Sequence, residues 1–331
     1  MSNHPENLDI YDSTGPPAGI LATSAADPDE PSTMISVMQD ISTFGIAGRI
    51  WDSSYVLDVF LRRPTEAYTF SPPCPIPREY FLDPKSRTTT STSPPPSDTS
   101  SETATHPPLR IVEIGAGTGY VGIALAKRLT RDSTLILTDL EEVVPLLERN
   151  VQDNLYKPSS STTAAQETDT PSLASRCAHV KVEALAWGNS AHSEALLAQG
   201  PVDFVVASDL VYFPELYPPL LSTLREITTL ETRVLFGYKE RSLWKETPFW
   251  EEFGRFFRIE VVRITKHKKK EEEKDGEQDK EREEEEEEDD TNVFGCEEDM
   301  YVFVATKRED KDILVGVDDT LATLMMMQIS I

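Results

Sequence analysis

Apolar positions along the chain fall into short runs that alternate with longer amphipathic stretches. Runs rich in Val, Ile and Leu at 110–114, 134–138, 180–185, 202–207 and 233–238 predict strands. Apolar residues at helical spacing follow several of them, at 121–129, 141–154, 214–227 and 243–253. Upstream, residues 51–63 set Val56, Leu57, Phe60 and Leu61 on one helical face, with Asp52 expected as the N-cap. Two late β-rich runs, 257–265 and 300–306, are expected to pair as one long antiparallel hairpin. Strands alternating with helices predict an α/β fold built on a doubly wound, mostly parallel sheet.

Between these elements the pattern disappears. The predicted domain spans 34–307, after a tail at 1–33, with low-complexity insertions at 85–108, 158–175 and 266–292; the end, 308–331, is unassigned. These segments are too poor in apolar residues to offset their ordering entropy, and long insertions cost little because closure entropy grows slowly with length. The chain has 331 residues, 38% of them apolar, enough for one substantial core. Net charge is −26, which disfavours a phosphate-backbone partner, so no nucleic acid is expected. Residues 266–290 alone hold 15 acids against seven bases. That tract is either a solvated insertion or a docking arm for a basic protein surface.

Three scattered cysteines, Cys74, Cys177 and Cys296, offer neither a disulfide framework nor metal-ligand spacing, so no metal is expected. The N-terminus has no basic and apolar leader, and no apolar stretch approaches the ~20 residues of a membrane span. A soluble, cytoplasmic monomer is the expectation, with the nucleus as the alternative location.

The chemistry gathers at strand ends. In VEIGAGTGYVGIALAKR (112–128), glycines at alternate positions separate an apolar run from a helical pattern. Read as Gly117-x-Gly119-x-x-Gly122 the loop suits a dinucleotide; read as Glu113-x-Gly115-x-Gly117-x-Gly119 it suits S-adenosyl-L-methionine. The letters fit both. Other strands end in Asp139, in Ala186-Trp187-Gly188, and in Ser208-Asp209-Leu210-Val211-Tyr212. In open α/β sheets ligands bind outside these carboxyl ends, so the tips form one candidate site. Asp139 suits a pair of ribose hydroxyls or an N-cap, and Trp187 an adenine face or the core. Glu113 is placed to meet an ammonium group of the cofactor. An acid and a phenol at Asp209 and Tyr212 suit amine chemistry better than hydride transfer.

The segments GIAGRIWDSSYVL (45–57), VEIGAGTGYVGIALA, LTDLEEVVPLLERNV, LAWG and ASDLVYFPELYPPLL follow one another in an order that resembles the methyltransferase-like 21 family. These are seven-β-strand protein-lysine methyltransferases of the class I, Rossmann-like type. The resemblance covers about 34–306 apart from the insertions. Its Asp-x-x-Tyr signature is matched by Asp209 and Tyr212. Ser53 and Ser54 stand where the family has alanines, and Ala186 where it has an aspartate expected near the adenine amino group.

The resemblance implies S-adenosyl-L-methionine as cofactor, held by Trp51, Glu113, Gly115, Gly117, Gly119, Asp139, Leu140, Trp187, Ala207 and Ser208. Asp209 and Tyr212 would flank the acceptor lysine as catalytic residues, and 238–241 would form another wall. The implied partner is a protein substrate: translation elongation factor 1-alpha, or a chaperone or AAA ATPase. A different acceptor (a small molecule, histidine or an N-terminal amine) and a non-catalytic scaffold are the alternatives.

Overall fold

The computed structural model describes residues 11–17, 35–62, 68–82, 106–157, 176–267 and 290–315. A short helix α1 (Ile41–Phe44) runs into a 3-10 turn at Gly45–Gly48, followed by α2 (Asp52–Phe60) and β1 (Tyr68–Ser71). Strands and helices then alternate: β2 (Leu109–Ile114), α3 (Tyr120–Arg128), β3 (Ser133–Asp139), α4 (Val144–Val151), β4 (His179–Ala184), α5 (Ser190–Leu197), β5 (Phe204–Ser208), α6 (Tyr217–Ile227), β6 (Arg233–Lys239) and α7 (Leu243–Phe256). Four strands close the described chain: β7 (Phe257–Val261), β8 (Arg263–Lys266), β9 (Asp290–Val293) and β10 (Met300–Lys307).

The main sheet has seven strands in the order β4-β3-β2-β5-β6-β10-β7. Its first five strands are parallel, and β10 runs antiparallel to both neighbours. The strand period of two divides the core. Ile111, Leu135, Val206 and Leu235 face a cluster with α2 and α3, whereas Val112, Ile136, Val205 and Phe236 face α6 and α7. The chain moves outward from β2 through β3 to β4 and returns on the other side of β2 as β5. That reversal opens a crevice between the β2 and β5 tips.

Two contacts bring α2 to the crevice. A Cβ on Gly237 would lie 3.0 Å from both Leu57 Cβ and the Ser53 carbonyl, so glycine allows the helix to press onto β6. On the same helix Asp58 accepts from Arg128 Nη1 at 2.6 Å and Arg62 Nη2 at 2.7 Å. Burial would raise the Asp58 pKa, but the two guanidiniums hold it below its ordinary value.

Several expectations need correction. The hairpin is forked: β7 pairs with β10, but past Val262 the chain leaves the main sheet as β8 and pairs with β9 and β1. Val262 spans the fork, its N–H donating to the Val302 carbonyl and its carbonyl accepting from Phe294 N–H. Asp52 is not the N-cap. Trp51 holds that position without a side-chain capping bond, and Asp52 turns to Lys239 (2.5 Å) and Arg49 (3.9 Å). The helix predicted from 141 starts at Val144, because 140–143 form a turn, and it ends in a π turn at Gln152–Tyr156.

Ser13, in the expected tail, hydrogen-bonds Tyr55 and Gln39. Residues 308–315 fold against the end of α7 through Arg308 and Leu314. The insertion 158–175, and most of those at 85–108 and 266–292, lie outside the described residues.

Candidate active site

The loop after β2 wraps a cavity of about 360 Å3 at the crevice. Gly115 and Gly117 hold φ of +59° and +54°, a region costly to any residue with a Cβ. A Cβ on Gly115 would fall 2.7 Å from Leu210 and 2.9 Å from Trp187; one on Gly117 would fall 2.9 Å from the Ala47 carbonyl. The 45–48 turn therefore lies over the loop as a cover. Asp139 ties the β3 tip to the same loop, its Oδ2 accepting from Gly117 N–H at 2.8 Å and its Oδ1 from Leu140 N–H at 2.7 Å. Burial raises the Asp139 pKa against the pull of these two amides. Asp139 does not cap α4, which begins five residues later with Val143 as its N-cap.

Of the residues singled out from sequence, Trp51, Glu113, Gly115, Gly117, Asp139, Leu140, Trp187, Ser208, Asp209 and Tyr212 line the cavity. Gly119 does not. It starts α3 in the left-handed conformation, with Leu147, Ile123 and Leu137 against it. Ala207 is also off the wall, fully buried in the sheet between Ile114 and Phe236. Tyr238 is buried against Glu246, donating to it at 2.5 Å, so 238–241 stand one layer behind the cavity. The serines at 53 and 54 meet Ser208 Oγ at 3.3 and 3.0 Å, joining α2 to the β5 tip by hydroxyls. Ala186 brings no side-chain donor or acceptor; its N–H donates to His192 Nδ1 at 3.1 Å.

Glu113 is buried, with Oε2 accepting from Gly122 N–H at 2.9 Å and no partner for Oε1 among the described residues. Burial, aided by the charge of Asp139, pushes its pKa up to about 8 against the opposing Gly122 bond.

Asp209 departs most from expectation. Its carboxylate is held bidentately by Arg241, Nη1 to Oδ1 at 2.7 Å and Nη2 to Oδ2 at 2.6 Å. The Asp209 backbone sits at φ +60°, fixed by its N–H donating to the Gly237 carbonyl. Arg241 also lies 5.2 Å from the Trp51 ring centre, and Arg49 lies 4.5 Å from it. Burial would lower the Arg241 pKa, but Asp209, with Glu246 and Asp52, holds it above its ordinary value. Tyr212 is half-buried, and its hydroxyl makes no hydrogen bond among the described residues. Burial, then the charges of Asp139 and Asp209, keep that phenol protonated. The partner of Asp209 and the 45–48 cover were not foreseen; their visible signals were the arginines Arg49 and Arg241 near Trp51 and the β6 end.

Residues 29–255 match the family model described as lysine methyltransferase. The chain belongs to this lysine methyltransferase family. Among curated relatives, the Danio rerio protein N-lysine methyltransferase METTL21A is 26% identical over 69% of this chain and 76% of its own. The Saccharomyces cerevisiae protein-lysine N-methyltransferase EFM6 is 29% identical over 48% and 60%. The Xenopus tropicalis EEF1A lysine methyltransferase 3 is 27% identical over 48% and 60%. The match thus spans 60% of each of the latter two.

Membership makes S-adenosyl-L-methionine the methyl donor, and the cavity fits it. The glycine cradle leaves no room for Cβ atoms, Asp139 retains free lone pairs, and the unpartnered Glu113 oxygen suits an ammonium group. Gly117→Ala is expected to weaken binding of S-adenosylhomocysteine at least tenfold, about 1.4 kcal/mol, in a calorimetric titration; unchanged affinity would remove the loop from the site. Glu113 makes a separate prediction for the cofactor-free protein. Between pH ~4.5 and 8 the unfolded chain releases this proton while the folded chain keeps it, so stability falls as pH rises. Glu113→Gln removes that dependence. Urea unfolding at pH 5 and pH 8 should show the wild type losing about 3 kcal/mol more than the variant, and equal losses would contradict the buried proton.

Proposed function

We propose that the chain methylates the ε-amine of a lysine in a protein, with translation elongation factor 1-alpha as the acceptor. One observation carries the reading. Asp209 and Tyr212 reach the same cavity as the glycine loop, so groups suited to an amine stand beside the cofactor's place. The acceptor protein is suggested by the relative named EEF1A lysine methyltransferase 3.

S-adenosyl-L-methionine supplies a sulfonium-bound methyl group, which an amine lone pair takes in line while the S–C electron pair stays on sulfur. The chain's residues orient and select. Tyr212 offers a hydroxyl free to accept an amine N–H, and its ring tolerates a methylated ammonium. A phenol held neutral by burial does not act as the base. Asp209, with both oxygens held by Arg241, is placed to fix the amine in position. The surplus lysine proton leaves to solvent before attack. Leu210, Phe213 and Leu216 give the cavity apolar walls, which desolvate the amine and favour its neutral form.

Incubation of the purified protein and methyl-labelled cofactor with a cell lysate, and separately with purified elongation factor 1-alpha, tests the reading. Label on a lysine of the elongation factor is the expected result. Label on another protein's lysine would overturn the choice of acceptor. Label only on small molecules, or no label, would overturn the protein-lysine reading.

A further inference from the structure

A lone carboxylate beside an acceptor amine works against itself. It stabilises the positive charge that forms on nitrogen, but it also holds the resting amine as ammonium, which has no lone pair to attack. At the lysine reference pKa of ~10.4, only about one amine in several thousand is neutral at pH 7. An unpaired acid within reach would make this worse by about one to three pH units.

In this protein the acid is not alone. Both Asp209 oxygens accept from Arg241, whose guanidinium comes from the neighbouring strand end and is 13% exposed. A carboxylate has about four lone-pair sites, and a bidentate arginine uses two of them. Asp209 still lines the cavity, whereas Arg241 stands behind it.

Other charged groups surround the pair. Asp52 on α2 bonds Lys239 and approaches Arg49. Glu246 on α7 accepts from the Tyr238 hydroxyl and from Arg241 N–H. Glu240 lies near Asp299 and Glu246, and Tyr212 and Asp139 line the cavity together with Asp209. Arg241 is the cation in direct contact with the acid.

We propose that Arg241 is a positioning residue that keeps the acceptor amine neutral. By clamping Asp209 it cancels the carboxylate's charge at the slot, and it leaves the outer lone pairs to accept an N–H from the uncharged amine. This rests on the amine-methylating reading above. Arg241 touches neither cofactor nor acceptor; it acts through Asp209.

The probe is n-butylamine, a lysine side chain without a protein, titrated calorimetrically into the full chain saturated with S-adenosylhomocysteine from pH 7 to 10. Wild type should bind it more tightly as pH rises, approaching tenfold per unit below the amine's pKa, because the neutral form is the ligand. Arg241→Gln exposes the Asp209 charge, so the dependence should flatten or reverse, with binding at pH 7 at least tenfold tighter relative to pH 10 than in wild type. Arg241→Lys should retain the rise, and the double variant Asp209→Asn/Arg241→Gln, which replaces the pair with neutral groups, should regain it. A purely structural role would weaken binding equally at every pH.

The same pH dependence in Arg241→Gln as in wild type overturns the proposal, as does a wild type that binds no amine at any pH. In the labelling assay the acid limb of the Arg241→Gln rate should move up by about one unit or more. A lysate without labelled lysine, combined with the expected butylamine behaviour, defeats only the protein-lysine reading. A labelled lysine with an unmoved acid limb defeats only the role given to Arg241.

Discussion

A guanidinium from the end of β6 grips a carboxylate at the end of β5, and the geometry of the cavity follows from that grip. Asp209 lies in a backbone region that non-glycine residues visit at a cost, and it stays there because three bonds hold it, two from Arg241 and one through its own N–H. Removing either partner of such a buried pair costs roughly 3–5 kcal/mol, a large share of the ~5–15 kcal/mol that keeps a domain folded. The same guanidinium approaches Trp51, so the pair also locates the start of α2 and one wall of the cavity.

Topology supplies the crevice and packing supplies its walls. The reversal of strand order at β2 and β5 leaves a gap at their carboxyl ends, and each strand delivers its chemistry there because the sheet is parallel. Gly237 brings α2 down onto the β6 end, and the Asp58–Arg128 pair ties α2 to α3, the helix that follows the glycine loop. The cofactor cavity and the acceptor slot thus share one frame. Ser208, for example, faces the cavity while meeting Ser54 on the same wall and Ser53 beside it.

The parts legible in the sequence were those governed by period and by local backbone rules. Five parallel strands are plain apolar runs whose alternate residues serve opposite faces, and the glycine spacing announces positive φ. Helix α5 escaped notice because only Ser193 and Leu196 on it are buried, too thin a stripe to read. Gly119 and Ala207 belonged to the right segments but face the core, since one residue along a tight turn or strand end changes direction. The fork at Val262 depends on where β9 and β1 lie, which pairing in three dimensions decides. Asp209 and Arg241 were both visible, yet no spacing rule joins residues 32 apart whose meeting depends on β5 lying beside β6.

The account is tested most directly by a crystal structure of the full chain bound to S-adenosylhomocysteine. The ligand should occupy the space between the 115–117 bend, Asp139 and Trp187, with both Arg241 terminal nitrogens still within hydrogen-bonding distance of both Asp209 oxygens. A guanidinium swung into solvent, with a bare carboxylate facing the ligand, would contradict it.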